Sequence, residues 1–279
     1  MIPAGSVLTL TLAAAWFAPG LAAQARVRNP HVTISLVPER TAALPGASLR
    51  AGLRFRLENG WHIYWRNPGE AGIATHPVWR LPAGWKVDPL SWPVPERYDV
   101  AGSTTHIHRG DVVFGTRFHV PATGLGTARI AVELSYGICR DVCVPGKAEL
   151  GIAIPVGREG MVPDEWPRVA FLWTARAPRQ GGPAVEASLQ DSVVLVRLRG
   201  SPGAALTAGT WTFFPADRSV APAAMTAQAR PGSRELVLRL PLAQCTPIRL
   251  NGILVQGDPT VPYPKGYVVS APLTARPTC

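Results

Sequence analysis

Prolines and glycines, 29 and 27 of them, cut this chain into short runs in which apolar and polar residues alternate. A period of two is the signature of a half-buried strand. It recurs at 32–37, 49–57, 112–120 and 130–135, and again at 192–199, 210–214, 235–240, 253–256 and 266–270. Many short strands between turn signals predict an all-β chain built as a sandwich. One helix breaks the pattern: Asp164 and Glu165 supply acidic residues for a first turn, and Val169, Leu172 and Trp173 form an apolar face ending near Ala177. The run 178–183, Pro-Arg-Gln-Gly-Gly-Pro, reads as a linker. The expected organisation is a β-sandwich over 26–157, helix and linker over 158–183, and a second, smaller all-β domain over 184–279.

The first 25 residues read as a signal peptide. Residues 7–18 are apolar but too short to span a bilayer comfortably. Pro19-Gly20 follows, and Ala23-Gln24-Ala25 fits a small-x-small cleavage site, although no basic side chain precedes Arg26. No later run reaches the length of a membrane span. The mature chain is therefore expected outside the cytosol, in a periplasm, where disulfides persist. Hydrophobic residues make up 47% of the chain, enough for a real core. The formal charge is +10, carried almost wholly by arginine, with lysine only at 86, 147 and 265. Those arginines are scattered singly along strand-like runs and accompany no nucleic-acid motif, so no nucleic-acid partner is expected.

Four cysteines remain to be explained. Cys139 and Cys143 lie in Tyr136-Gly-Ile-Cys-Arg-Asp-Val-Cys-Val-Pro-Gly146. On one extended strand their Cα atoms would be roughly 13 Å apart, whereas a disulfide needs about 7 Å or less. Residues 140–142 must fold back as a turn if the two are to bond. A loop this short restrains the unfolded chain little, which suits a reversible redox pair better than a structural staple, though a bridge decorating a hairpin is the other reading. Cys245 and Cys279 are the pair left over; by parity they form a structural disulfide, or else Cys279, the last residue, stays free.

Upstream, Gly60-Trp-His-Ile-Tyr-Trp-Arg-Asn-Pro-Gly69 packs three aromatics ahead of a sharp Asn-Pro-Gly turn. Five of the nine tryptophans fall between 61 and 92, as an aromatic core or a partner-binding face. The order Gly-Trp-His-x-Tyr-Trp-Arg-Asn-Pro-Gly, Leu-Pro-Ala-Gly-Trp, Trp-Pro-x-Pro-Glu-Arg, Ser-Tyr-Gly-x-Cys-x-x-x-Cys-x-Pro-Gly resembles the periplasmic amino-terminal region of the DsbD/ScsB thiol-disulfide reductases over about 60–146. The resemblance implies an immunoglobulin-like domain whose pair, Cys139 and Cys143, passes electrons to thioredoxin-fold periplasmic partners. No multi-span membrane domain or CxxC thioredoxin domain is visible, so a membrane-embedded electron donor in trans is expected. The resemblance also implies a loop capping the pair. Its match is 105–111, which puts His106 or Ile107 over the cysteines, with Tyr136 beside them.

His106 and His108 share a face of any extended strand. Beside the cysteines they would tune the thiolate, or with it hold copper or zinc; otherwise they are hairpin residues. His62, His76 and His119 read as structural. Nothing suggests a Ser-His-Asp triad, a phosphate loop or a cofactor. Two functions result: a thiol-disulfide exchange protein, or a non-catalytic binder of copper or of a partner.

Overall fold

The computed structural model describes residues 24–200, 204–221, 226–243 and 249–273. The expected leader, up to residue 23, lies outside these residues, as do Cys245 and Cys279. Among the described residues no helix is long and apolar enough to cross a membrane.

Eleven strands come first: β1 Arg26–Asn29, β2 Val32–Pro38, β3 Ser48–Leu57, β4 His62–Gly69, β5 His76–Arg80, β6 Lys86–Val87, β7 Glu96–Val100, β8 Ser103–Arg109, β9 Asp111–His119, β10 Gly126–Cys139 and β11 Cys143–Val156. They form two antiparallel sheets, ordered β1-β2-β3-β9-β6 and β11-β10-β4-β8-β7, with β5 on β10. The alternation seen in the sequence decides which side chains meet between them. Along β10, Ala128, Ile130, Val132, Leu134, Tyr136 and Ile138 all point inward, against Leu49, Ala51, Leu53 and Phe55 of β3 and Phe114 and Phe118 of β9. Each large aliphatic buried this way contributes about 1.5–3 kcal/mol. The result is an immunoglobulin-like sandwich.

Helix α1, Trp166–Arg176, starts later than the sequence suggests. Pro167 sits in its opening turn, where the missing N–H costs nothing, and Glu165 is the N-cap residue without a capping hydrogen bond. The helix starts after both acidic residues, so the expected acidic first turn is absent, and the Glu165 side chain pairs with Arg26. Trp166, Val169 and Leu172 pack with Val37 and Val113 on the outer face of the first sheet. Two glycines permit this approach. A Cβ on Gly52 would lie 2.5 Å from Val169, and one on Gly115 would lie 1.9 Å from the Trp173 ring.

After α1 come β12 Ala184–Gln190, β13 Val193–Arg199, β14 Gly209–Pro215, β15 Thr226–Ala229, β16 Glu235–Pro241, β17 Arg249–Gln256 and β18 Lys265–Pro272. Two further sheets, β12-β13-β16 and β15-β14-β17-β18, enclose a second core that includes Val196, Trp211, Phe213, Leu240 and Leu254. The two parts meet at Trp65 and Val94, which pack on Phe214, Ile253 and Val255. The Asn-Pro-Gly turn expected after Arg66 is not a chain reversal. It is an irregularity inside β4, where the register to β8 slips between Tyr64 and Gly69. Asn67 is held there because its amide donates to the carbonyls of Pro215 (2.9 Å) and Asp217 (2.6 Å) across the junction.

Candidate functional site: a disulfide at a hairpin tip

Strands β10 and β11 run in unbroken register from Gly126↔Val156 to Cys139↔Cys143. The chain reverses through Arg140, Asp141 and Val142, so the two cysteines face each other as the last pair of the ladder. They form a disulfide with Cα atoms 4.2 Å apart. The tip is braced from β4's leading edge: the Trp61 ring stacks on His31 at 3.8 Å and takes the Arg140 guanidinium at 5.3 Å. Gly60, at φ +83°, leaves room for that arginine.

The alternation that sends Ile138 into the core turns Cys139 to the opposite face of the sheet. There Cys139 is 2% exposed, while Cys143 is open to solvent. Its surroundings come from the neighbouring strands. Tyr64 on β4 and Ile107 on β8 pack against Cys139, and Tyr98 of β7 closes over them. The Tyr64 hydroxyl lies 3.1 Å from Cys139 Sγ and 3.3 Å from Cys143 Sγ. Burial, followed by the neighbouring Tyr98, raises the Tyr64 pKa above the usual phenol value, so the group keeps its proton and remains a donor. Gly72, at φ +99°, lies flat on this ring; a Cβ there would come within 2.2 Å of it.

His62 belongs to the same face. It is the Cα partner of Cys139 on one side and of Arg109 on the other. Its ring meets Tyr64 and Tyr98 edge-on at 5.4 and 5.3 Å. Burial first, and Arg109 second, lower its pKa to about 4. Arg109 lies 4.7 Å over the Tyr98 ring and donates to Glu96 at 2.8 Å.

His106 and His108 do share a face, as expected, but it is the face away from the sulfurs. Between them Ile107 takes the cysteine side, as strand alternation requires. His106 hydrogen-bonds the Asn67 carbonyl at 2.9 Å and meets Trp65 and Phe214, while His108 lies against Phe114. Both are fully buried. Neither adjoins a thiol, and no three His, Cys, Asp or Glu side chains among the described residues converge to hold a metal ion. Of the expected cap, only Ile107 reaches the pair; the aromatic cover is Tyr98, one strand upstream of 105–111. Tyr136 points into the core, where its hydroxyl accepts from Asn29 at 2.8 Å, and it supports the hairpin from the other face. The tryptophans between 61 and 92 are buried or half-buried, so they form core and junction and offer no open aromatic face.

The sequence gives no role to Tyr64 or Tyr98 and reads His62 as structural, whereas all three stand around Cys139. His62 and Tyr64 carried a usable signal, since period two puts them on one face, but which strand faces the cysteines is a matter of pairing.

An immunoglobulin-like sandwich with a disulfide at the open end of a hairpin, under a tyrosine, defines a class of thiol-disulfide exchange domain. Residues 34–153 match the family model described as thiol:disulfide interchange protein DsbD, N-terminal. Over those residues, somewhat under half of the chain, the sequence is similar to the N-terminal domain of the DsbD family. The N-terminal periplasmic domain of ScsB from Proteus mirabilis shares the fold, with a TM-score of 0.62 at 18% identity over 88% of this chain and 97% of that one. The periplasmic chaperone SfaE aligns over 87% of this chain and 100% of its own, at 7% identity and a TM-score of 0.24, too low to carry an argument. No curated protein matches the sequence.

Proposed function

We propose that the protein is a periplasmic thiol-disulfide exchange protein. In this reading Cys139 and Cys143 take electrons from a membrane-embedded donor and pass them to thioredoxin-fold partners. The observation that carries it is the asymmetry of the pair: an exposed Cys143 bonded to a buried Cys139, with the Tyr64 hydroxyl in hydrogen-bond reach of both sulfurs. In the reducing direction the Cys143 thiolate attacks a partner disulfide, a mixed disulfide forms, and one partner sulfur leaves as thiolate. Cys139 then attacks Cys143 Sγ, the Cys143–partner bond breaks, and the second partner sulfur leaves. Two electrons pass to the partner and the protein closes its own disulfide. Run backwards, an incoming donor thiolate attacks Cys143 and expels Cys139 as a thiolate beneath the Tyr64 hydroxyl.

The same reading takes 26–157 as the exchange domain and 184–279 as a second β domain docked on it. Cys139→Ser should accumulate a mixed disulfide through Cys143 with a periplasmic thioredoxin-fold protein, seen on non-reducing gels. Cys143→Ser should not. Equal trapping by both variants, or by neither, would contradict the proposal.

A further inference from the structure

Four residues stand in one row across four strands: Cys143 on β11, Cys139 on β10, His62 on β4 and Arg109 on β8, each the Cα partner of the next. Cross-strand partners on one face bring their Cβ atoms to roughly 5 Å. The row therefore sets an imidazole beside a cysteine that solvent does not reach, and ends on a guanidinium. Resting on the exchange reading above, we propose that His62 is the proton-relay residue of Cys139, taking its proton when Cys139 resolves a mixed disulfide and returning it when Cys139 is expelled.

The need for such a group follows from burial. Cys139 is 2% exposed, so water cannot readily take the proton of its thiol. Only the thiolate is a competent nucleophile. Tyr64 can donate to that thiolate but, with its pKa raised, cannot serve as the base. The titratable and charged groups on the strands around His62 are Tyr64 of its own strand, Tyr98 and Glu96 of β7, Arg109 of β8, Cys139 of β10 and Cys143 of β11, while Arg140 at the hairpin tip lies over Trp61 instead. While the disulfide is closed the Glu96 carboxylate is held by Arg109 and Arg176, and burial with Arg109 keeps the ring neutral. A Cys139 thiolate reverses this, because an adjacent negative charge favours imidazolium. The base thus gains strength only as the thiolate forms, and thiol and imidazole titrate as a pair.

In the resolving step Cys139 Sγ–H gives its proton to the unprotonated ring nitrogen of His62. Cys139 Sγ attacks Cys143 Sγ, the Cys143–partner bond breaks, and its electron pair leaves on the partner sulfur, which takes a proton from water. His62 then releases its proton to solvent.

Reduced protein mixed with an aromatic disulfide that liberates a coloured thiolate separates the steps. The first release reports attack by Cys143, and the second reports resolution by Cys139. His62→Phe and His62→Gln should leave the first release unchanged. At neutral pH both should slow the second about tenfold, with the rate regained as pH rises. In a Cys143→Ser background, ultraviolet absorbance of the thiolate should show the Cys139 pKa raised by about one unit when His62 becomes Phe. An unchanged Cys139 pKa, or an unchanged second release, would overturn the proposal. The titration requires no exchange, so it decides on His62 by itself. A wild-type protein that releases only one thiolate would sink the exchange reading instead.

Discussion

Around the sulfurs, single side chains have separable jobs. Tyr64 donates to the disulfide at 3.1 and 3.3 Å, and the same hydroxyl would hold the thiolate that Cys139 becomes. A hydrogen bond to a charged group contributes about 1.5–3 kcal/mol. Tyr64→Phe keeps the ring that packs on Gly72 and Ile107, so the fold should survive while the rate of opening by a small dithiol falls at least about tenfold. Stopped-flow reduction of the oxidised protein measures this, and a rate equal to wild type would remove Tyr64 from the chemistry. The cap was half legible at this scale. The resemblance offers His106 or Ile107 as the cap; Ile107 takes it, and His106 goes to the Trp65–Phe214 junction, because neighbours on a strand face opposite ways.

Among elements, the β10–β11 hairpin and the α1 contact carry different loads. The hairpin is held by fourteen register pairs, from Gly126↔Val156 to Cys139↔Cys143, and the disulfide closes only its last turn. A loop this short is worth about 2 kcal/mol by chain entropy, under half the value for a loop of about 100 residues. Urea unfolding of reduced and oxidised protein should therefore differ by about 2 kcal/mol or less. A loss on the order of 5 kcal/mol would mark the bridge as a staple. The helix depends on a missing side chain: Gly115→Ala puts a Cβ into the Trp173 indole. That should cost about 1–3 kcal/mol by overpacking. It should also leave exchange at the distant hairpin near wild type, as thermal melts and kinetics run side by side would show. The sequence revealed α1 by its apolar spacing, but not its start. Glu165, expected in the first turn, is the N-cap, its carbonyl accepting from the Val169 N–H while its side chain pairs with Arg26.

For the whole molecule, three histidines are buried neutral. Burial lowers His62 and His106 to about 4, and lowers His108 well below the usual 6.5, with Arg176 adding to its shift. The unfolded chain takes up these protons near pH 6.5 and the folded chain does not, so protons favour unfolding. Stability should be full above about pH 6.5 and fall as pH drops toward 4, with a slope of up to about 1.4 kcal/mol per pH unit for each histidine. Urea midpoints across that range test this. His106→Gln should flatten the curve, whereas a pH-independent midpoint would contradict the buried neutral state. His106 lines the join between the sandwich and the later sheets, against Phe214, so acid should loosen that join.

The amino-acid order by itself determined nine of the eighteen described strands (β2, β3, β9, β10, β13, β14, β16, β17 and β18), helix α1, and the need for residues 140–142 to turn back. These follow from local rules: period two, turn-forming Pro and Gly, and the reach of an extended chain. It also carried the resemblance to the DsbD family, because each motif between 60 and 146 is a short run whose residues and order are readable without the fold. Only the tertiary structure decided what touches the sulfurs. Pairing of β4 with β10, some 75 residues apart in sequence, brings Tyr64 and His62 to Cys139. Pairing of β7 with β8 brings Tyr98 over them, while Asn67, caught by Pro215 and Asp217, turns an apparent loop into a strand. A strand's two faces can be read from its own residues, but what each face meets is set by neighbours distant in the chain.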